Sequence, residues 1–187
     1  MHLHDILKLE FARFGNRPLN IVETGTLRND TEPSRIGDGW STIFFAERVK
    51  QLGGKLWSID LETGGADRML RQRGLRDCCE LLQRHSLAAL ASLCRAHDLS
   101  IDIAFLDSDN DGTLIYHEFL VASELVAAGG LILMDDVRMA HHLTGEAQLA
   151  RKGDVVLPYV VENKLAHRLH ERHGWNDYRT GVLAVDR

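Results

Sequence analysis

The sequence predicts an α/β fold, a mostly parallel sheet with helices on both faces, and two observations carry that prediction. Short apolar runs recur: LNIVET (Leu19 to Thr24), KLWSID (Lys55 to Asp60), IDIAFLD (Ile101 to Asp107) and GLILMDD (Gly130 to Asp136). They are continuous rather than alternating, as strands buried on both faces are. Helical patterns lie between them, and strand–helix alternation at this spacing makes stacked βαβ units with right-handed crossovers.

Each element has its own justification. The first fourteen residues, MHLHDILKLEFARF, place Leu3, Ile6, Leu7, Phe11 and Phe14 on one side of an amphipathic helix that covers the sheet. STIFFAERVKQL (Ser41 to Leu52) starts on a good capping residue and stops at Gly53 and Gly54. CELLQRH (Cys79 to His85) reads as a further strand, and SLAALASLCRAH (Ser86 to His97) as a helix opened by serine. TLIYHEFLVASELVAA (Thr113 to Ala128) is a helix ending before Gly129 and Gly130. In the tail, VVLPYVV (Val155 to Val161) and GVLAVD (Gly181 to Asp186) read as strands with a helix or hairpin between them. The polar stretch Leu27 to Gly39 follows the first strand, where loops of open α/β sheets close over ligands.

Composition narrows the function. With 187 residues, 44% of them hydrophobic, one domain spanning 1–187 with its own core is expected. The formal net charge of -5 gives no general attraction to nucleic acid or anionic membrane. Cys78, Cys79 and Cys94 form neither a disulfide framework nor a zinc spacing, so buried free thiols are expected. The N-terminus lacks a signal-peptide pattern, and no run approaches the ~20 apolar residues of a membrane span, so a cytoplasmic location is expected. Glycine patterns for a dinucleotide, a P-loop or a GxSxG nucleophile are absent.

Three constellations carry chemistry. IVETGT, followed by GWST, ends a strand at Glu23, turns at Gly25 and opens a helix near Ser41. Glycine permits close backbone approach, and a helix N-terminus offers free N–H groups. Asp60 ends the second strand, where a carboxylate accepts hydrogen bonds from both ribose hydroxyls of a nucleoside. Asp107, Asp135 and Asp136 sit at the ends of two central strands. Three such carboxylates repel one another unless a cation holds them, and hard divalent ions such as Mg²⁺ take oxygen ligands.

The order ETGT, GWST, SID, HSL, FLDSD and GGLILMDD, over Asn20 to Val137, resembles class I S-adenosylmethionine (SAM)-dependent methyltransferases. It looks most like the metal-dependent O-methyltransferases of the catechol and macrocin type. The resemblance implies a Rossmann-like, seven-stranded sheet whose last strand is antiparallel, and methyl transfer to a hydroxyl of a small molecule with divalent-metal assistance. It implies that Glu23 and Gly25 line the methionine end of SAM, that Ser41 holds its carboxylate, Asp60 its ribose and Ser86 its adenine side. Thr26, Gly39 and Asp107 would belong to the same cofactor set. Asp107, Asp135 and Asp136 would be the metal ligands. Asn110 falls where the catechol enzymes carry a lysine, which leaves His141 and His142 as candidate proton acceptors. Oligomeric state is open.

A rival reading uses the same residues. Asp107 to Glu118, DSDNDGTLIYHE, matches the EF-hand calcium loop. The strand-like IDIAFL before it and the lack of a second loop argue against that reading. A SAM-binding module without catalysis is a third reading.

Overall fold

A computed structural model describes residues 1–28, 40–96, 99–141, 147–148, 152–173 and 178–187. Five strands form the parallel part of the sheet: β1 (Leu19–Thr24), β2 (Gly54–Asp60), β3 (Cys79–Gln83), β4 (Ile101–Leu106) and β5 (Val126–Met134). The helices between them are α1 (Leu3–Phe11), before β1, then α2 (Ser41–Leu52), α3 (Gly64–Gln72), α4 (Ser86–Cys94) and α5 (Gly112–Leu125). After β5 come the short strands β6 (Met139–His141) and β7 (Ala147–Gln148), helix α6 (Gly153–Glu162), and the strands β8 (His167–His173) and β9 (Tyr178–Asp186).

The sheet order is β3-β2-β1-β4-β5-β9-β6-β7, with β8 also paired to β9. The pairs among β1 to β5 are parallel, and β9 is antiparallel to β5 and β8. Seven strands, β1 to β5 with β8 and β9, make the expected sheet; β6 and β7 are a small antiparallel addition. The chain winds outward from β1 to β3, then returns to place β4 on the other side of β1. That reversal opens a crevice beyond the carboxyl ends of β1 and β4, where doubly wound sheets bind ligands.

Residues neighbouring in sequence enter opposite layers, which explains the continuous apolar runs. Ile21, Ile103, Phe105, Leu131 and Leu133 pack with α1, α2 and α3. Val22, Ala104, Leu106, Ile132 and Met134 pack with α4, α5 and α6. Phe11, Phe45 and Phe105 lie in one chain of ring contacts that fixes α1 and α2 onto the sheet.

Three expectations are corrected. VVLPYVV is not a strand but most of α6, with Pro158 inside it. Val156 and Val160 are buried one turn apart while Val155 and Val161 are exposed, so a helical period overrides β-branched propensity. The helix expected from Thr113 to Ala128 stops at Leu125, and β5 begins at Val126 without a loop. Of the three free thiols only Cys79 is buried; Cys94 is exposed. α3 had no assignment in the sequence reading: it opens on Gly64 and Gly65, has no capping side chain, and is held by Ala66, Met69 and Leu70. No helix among the described residues is long and apolar enough to cross a membrane.

Candidate active site

The turn after β1 forms the floor of the crevice. Gly25 has φ +82, and a Cβ there would penetrate the backbone carbonyl of Asp107. Only glycine fits, because the ends of β1 and β4 are pressed together. Gly25 N–H donates to the Ile59 carbonyl at 2.9 Å, and Asp107 N–H donates to the Thr24 carbonyl at 2.9 Å, so the ends of three strands are tied at this point.

Glu23 is fully buried beneath that turn. Ser41 Oγ donates to Oε1, and Thr42 Oγ1 and Ser58 Oγ each donate to Oε2 at 2.7 Å. Burial pushes its carboxyl up to about 7 against those three hydroxyls. Glu23 thus joins β1, β2 and the first turn of α2, and the Ser41 hydroxyl proton is committed to it. Thr42 Oγ1 also accepts from Leu27 N–H at 3.0 Å, and lies 3.4 Å from Thr26 Oγ1.

Asp60, at the end of β2, accepts from Thr26 N–H at 3.0 Å on Oδ2 and from Glu62 N–H at 3.2 Å on Oδ1. A carboxylate has about four acceptor positions, so capacity remains for two more donors. The next side chain, Leu61, is 68% exposed and sets an apolar surface beside the carboxylate. Ser86 is buried in the first turn of α4, beyond β3, the neighbour of β2. Gly39 and His142 lie outside the described residues, as do residues 29–39 of the loop, and His141 is placed by its backbone alone, at the end of β6.

Asp107, Asp135 and Asp136 do converge: one oxygen from each lies within 4.8 Å of the others. Two cations from the tail lie on them. Lys152, at the start of α6 and itself buried, forms an ion pair with Asp107 Oδ1. Arg172, on β8, donates from Nε to Asp135 Oδ1 at 2.9 Å, from Nη2 to Asp135 Oδ2 at 2.7 Å and from Nη2 to Asp136 Oδ1 at 3.2 Å. Asp136 has φ +54, and its N–H donates to Asp135 Oδ1 at 2.9 Å. Burial, with Asp136 adjacent, pushes Asp135 up to about 6 even though Arg172 pulls the other way. Burial also raises Asp107 against the pull of Lys152. Burial alone would lower the Lys152 ammonium, but Asp107, Asp136 and Asp135 together hold it above its ordinary value.

Sequence reasoning missed both cations. Lys152 is 45 residues from Asp107, Arg172 is 37 from Asp135, and neither belongs to a recognisable motif.

The EF-hand pattern resolves into separate structural tasks. Asp111 caps α5, accepting from Thr113 N–H at 2.8 Å and Leu114 N–H at 3.4 Å. Glu118, the twelfth position of the pattern, is fully buried and accepts from Thr24 Oγ1 at 2.8 Å and Ser108 Oγ at 2.6 Å. The segment entering Asp107 is strand β4, not a helix. Asp109, Asn110, Asp111, Gly112, Thr113, Asp154 and Val155 instead line an open cavity of about 430 Å³ between the starts of α5 and α6.

A doubly wound sheet of this order, with a glycine turn after β1 and an acidic residue ending β2, is an open α/β architecture with its crevice beyond the carboxyl ends of the strands. A family model described as a methyltransferase domain matches residues 35–137, more than half of the chain, and the chain belongs to that family. The fold is that of solved O-methyltransferases. The enzyme from Bacillus cereus, in complex with S-adenosylhomocysteine (SAH), superposes with TM-score 0.71 at 20% identity, covering 97% of this chain and 79% of that one. TomG from Streptomyces achromogenes, an O-methyltransferase of tomaymycin synthesis in complex with SAM, gives 0.68 at 21% identity, covering 96% and 78%. No curated protein matches by sequence.

Proposed function

We propose that the protein transfers a methyl group from SAM to a hydroxyl of a small-molecule acceptor. The observation that carries this is Asp60 at the rim of β2, with acceptor capacity to spare and exposed Leu61 beside it: a carboxylate for two ribose hydroxyls next to an apolar surface for a base. The O-methyltransferase neighbours with bound SAM or SAH support the same reading. SAM supplies a sulfonium methyl whose C–S bonding pair stays on sulfur, leaving SAH, as the acceptor oxygen forms the new C–O bond and loses its proton.

The chain's residues supply position and field. The Gly25 turn lets the ends of β1 and β4 close up as the floor of the crevice, and the N-terminus of α2 would offer N–H groups to the cofactor's carboxylate. Asn110 lies in the wall of the cavity between the starts of α5 and α6, a candidate place for the acceptor. An amide is no base at neutral pH, so His141 and His142 keep the role of proton acceptor in this proposal. A divalent ion on Asp107, Asp135 and Asp136 would acidify the acceptor hydroxyl. The three oxygen donors favour that version, and the Lys152 and Arg172 ion pairs argue against it.

Titration calorimetry with SAM and SAH tests the proposal. Binding of both is expected, and no heat from either at millimolar concentration removes the reading. A panel of catechols, phenols and sugar hydroxyls then identifies the acceptor class.

A further inference from the structure

We infer that Lys152 and Arg172 occupy the place of a divalent metal, so that the aspartate cluster is held by the chain's own cations and methyl transfer runs without an added ion. The inference uses the methyl-transfer reading for its functional half only; the geometry stands apart from it.

Charge is the first argument. Among the described residues, three carboxylates meet one ammonium and one guanidinium, so two positive charges already lie on the cluster. A divalent ion would face two fixed cations at contact range. The second argument is coordination. Both oxygens of Asp135 are engaged by the Arg172 fork, an arrangement stronger and more directional than a single ion pair. Asp107 Oδ1 is taken by Lys152, and Asp136 Oδ1 is shared with Arg172. A metal would have to displace the Arg172 fork from Asp135, and would meet Asp107 and Asp136 only at carboxylates that each already carry a cation.

The third argument is that these cations have no easy way to withdraw. A surface lysine swings aside at little cost, but the Lys152 and Arg172 side chains are each 4% exposed. Displacing either would leave a buried charge without its counter-ion, which is costly in a low-dielectric interior. Lys152 is also pinned at its root. The following Gly153 packs so closely on the Val137 carbonyl that a Cβ there would overlap it, which seats the start of α6 directly against the chain leaving β5.

The test follows free Mn²⁺ by the electron paramagnetic resonance signal of the hexaaqua ion, with the whole 187-residue chain, with and without SAH. Wild type is expected to leave the signal unattenuated up to 1 mM, roughly a limit on Kd weaker than 1 mM. Lys152→Met, which keeps the buried stem but removes the charge, is expected to bind one Mn²⁺ at least about tenfold more tightly than wild type. One equivalent of Mn²⁺ bound by wild type below millimolar concentration overturns the inference. A folded Lys152→Met protein that binds no more Mn²⁺ than wild type overturns the role given to Lys152. The wild-type arm stands whether or not the variant folds. Calorimetry with SAH on the same samples separates the two ideas: no SAH binding removes the methyl-transfer reading while the Mn²⁺ result still decides the cation question.

Discussion

Arg172 reaches across β9 to grip Asp135: β8 and β5 flank β9 on opposite sides, and the guanidinium spans it with two hydrogen bonds of 2.9 and 2.7 Å. Asp135 is 1% exposed, so the pair is a buried one. Removing one partner of such a pair leaves an uncompensated charge. Arg172→Met is therefore expected to lower stability by about 3–5 kcal/mol, measured by urea unfolding. Arg172→Lys should recover only part of the loss, because an ammonium cannot form the two-pronged contact. A Met variant within about 1 kcal/mol of wild type would mean that water or another cation replaces the guanidinium, against the closed geometry described here.

Glu23 predicts a pH dependence. Its carboxyl is raised from an ordinary value of 4.5 to about 7, so the folded state keeps a proton that the unfolded chain has released. Stability contributed by that proton is present below pH 4.5 and is lost as pH rises towards 7. The loss should total about 3 kcal/mol. Asp135 acts in the same direction up to about pH 6, so the difference between wild type and Glu23→Gln isolates Glu23. Urea midpoints at pH 5, 6, 7 and 8 should show Glu23→Gln gaining on wild type as the pH rises; parallel profiles refute the assignment.

Asp60→Ala should weaken SAH binding by about 1.5–3 kcal/mol, the worth of hydrogen bonds to a charged acceptor. Calorimetry reads this directly. An unchanged affinity would place the ribose elsewhere on the rim.

Gly25→Ala forces a Cβ into the Asp107 carbonyl at a backbone angle of φ +82. The expected result is loss of more than about 2 kcal/mol of stability together with loss of SAH binding. Thermal unfolding with and without SAH checks both. A variant of wild-type stability would show that β1 and β4 separate freely at this point.

Calcium should do nothing to the fold. Circular dichroism through a calcium titration to 1 mM, roughly the weak end of calcium-loop affinities, should stay flat. Glu118→Ala should destabilise by about 1–3 kcal/mol regardless of calcium, since Thr24 and Ser108 lose a buried acceptor. A helical gain at micromolar calcium would revive the EF-hand reading.

The parts legible in the sequence are those whose environment is symmetrical or local. β1 and β4 announce themselves because Ile21 and Val22, or Ile103 and Ala104, are buried on opposite faces. The meeting of Asp107 with Asp135 and Asp136 follows from two neighbouring parallel strands ending together. β8 was hidden because a strand reading HRLHERH has one outer flank and little apolar alternation. α6 was misread because its valines suit either period until burial separates Val156 and Val160 from Val155 and Val161. Lys152 and Arg172 were unreadable for a different reason. Their partners are chosen by tertiary folding, and nothing in a basic residue's neighbourhood names the carboxylate it will meet.

β9 divides its flank between two tenants. Leu183 to Asp186 pair with β5, while Tyr178 to Thr180 pair with β6. Among the described residues, β6 is fastened to the sheet through those three pairings with β9, and β7 joins only β6. Between the β5 and β6 pairings, Val137 N–H donates to the Gly181 carbonyl and Gly181 N–H to that of Arg138, so the handover from β5 to β6 falls at Gly181. One edge of β9 thus answers to two partners, and the chain that follows Asp136 is stitched back to the sheet before it leaves towards β7.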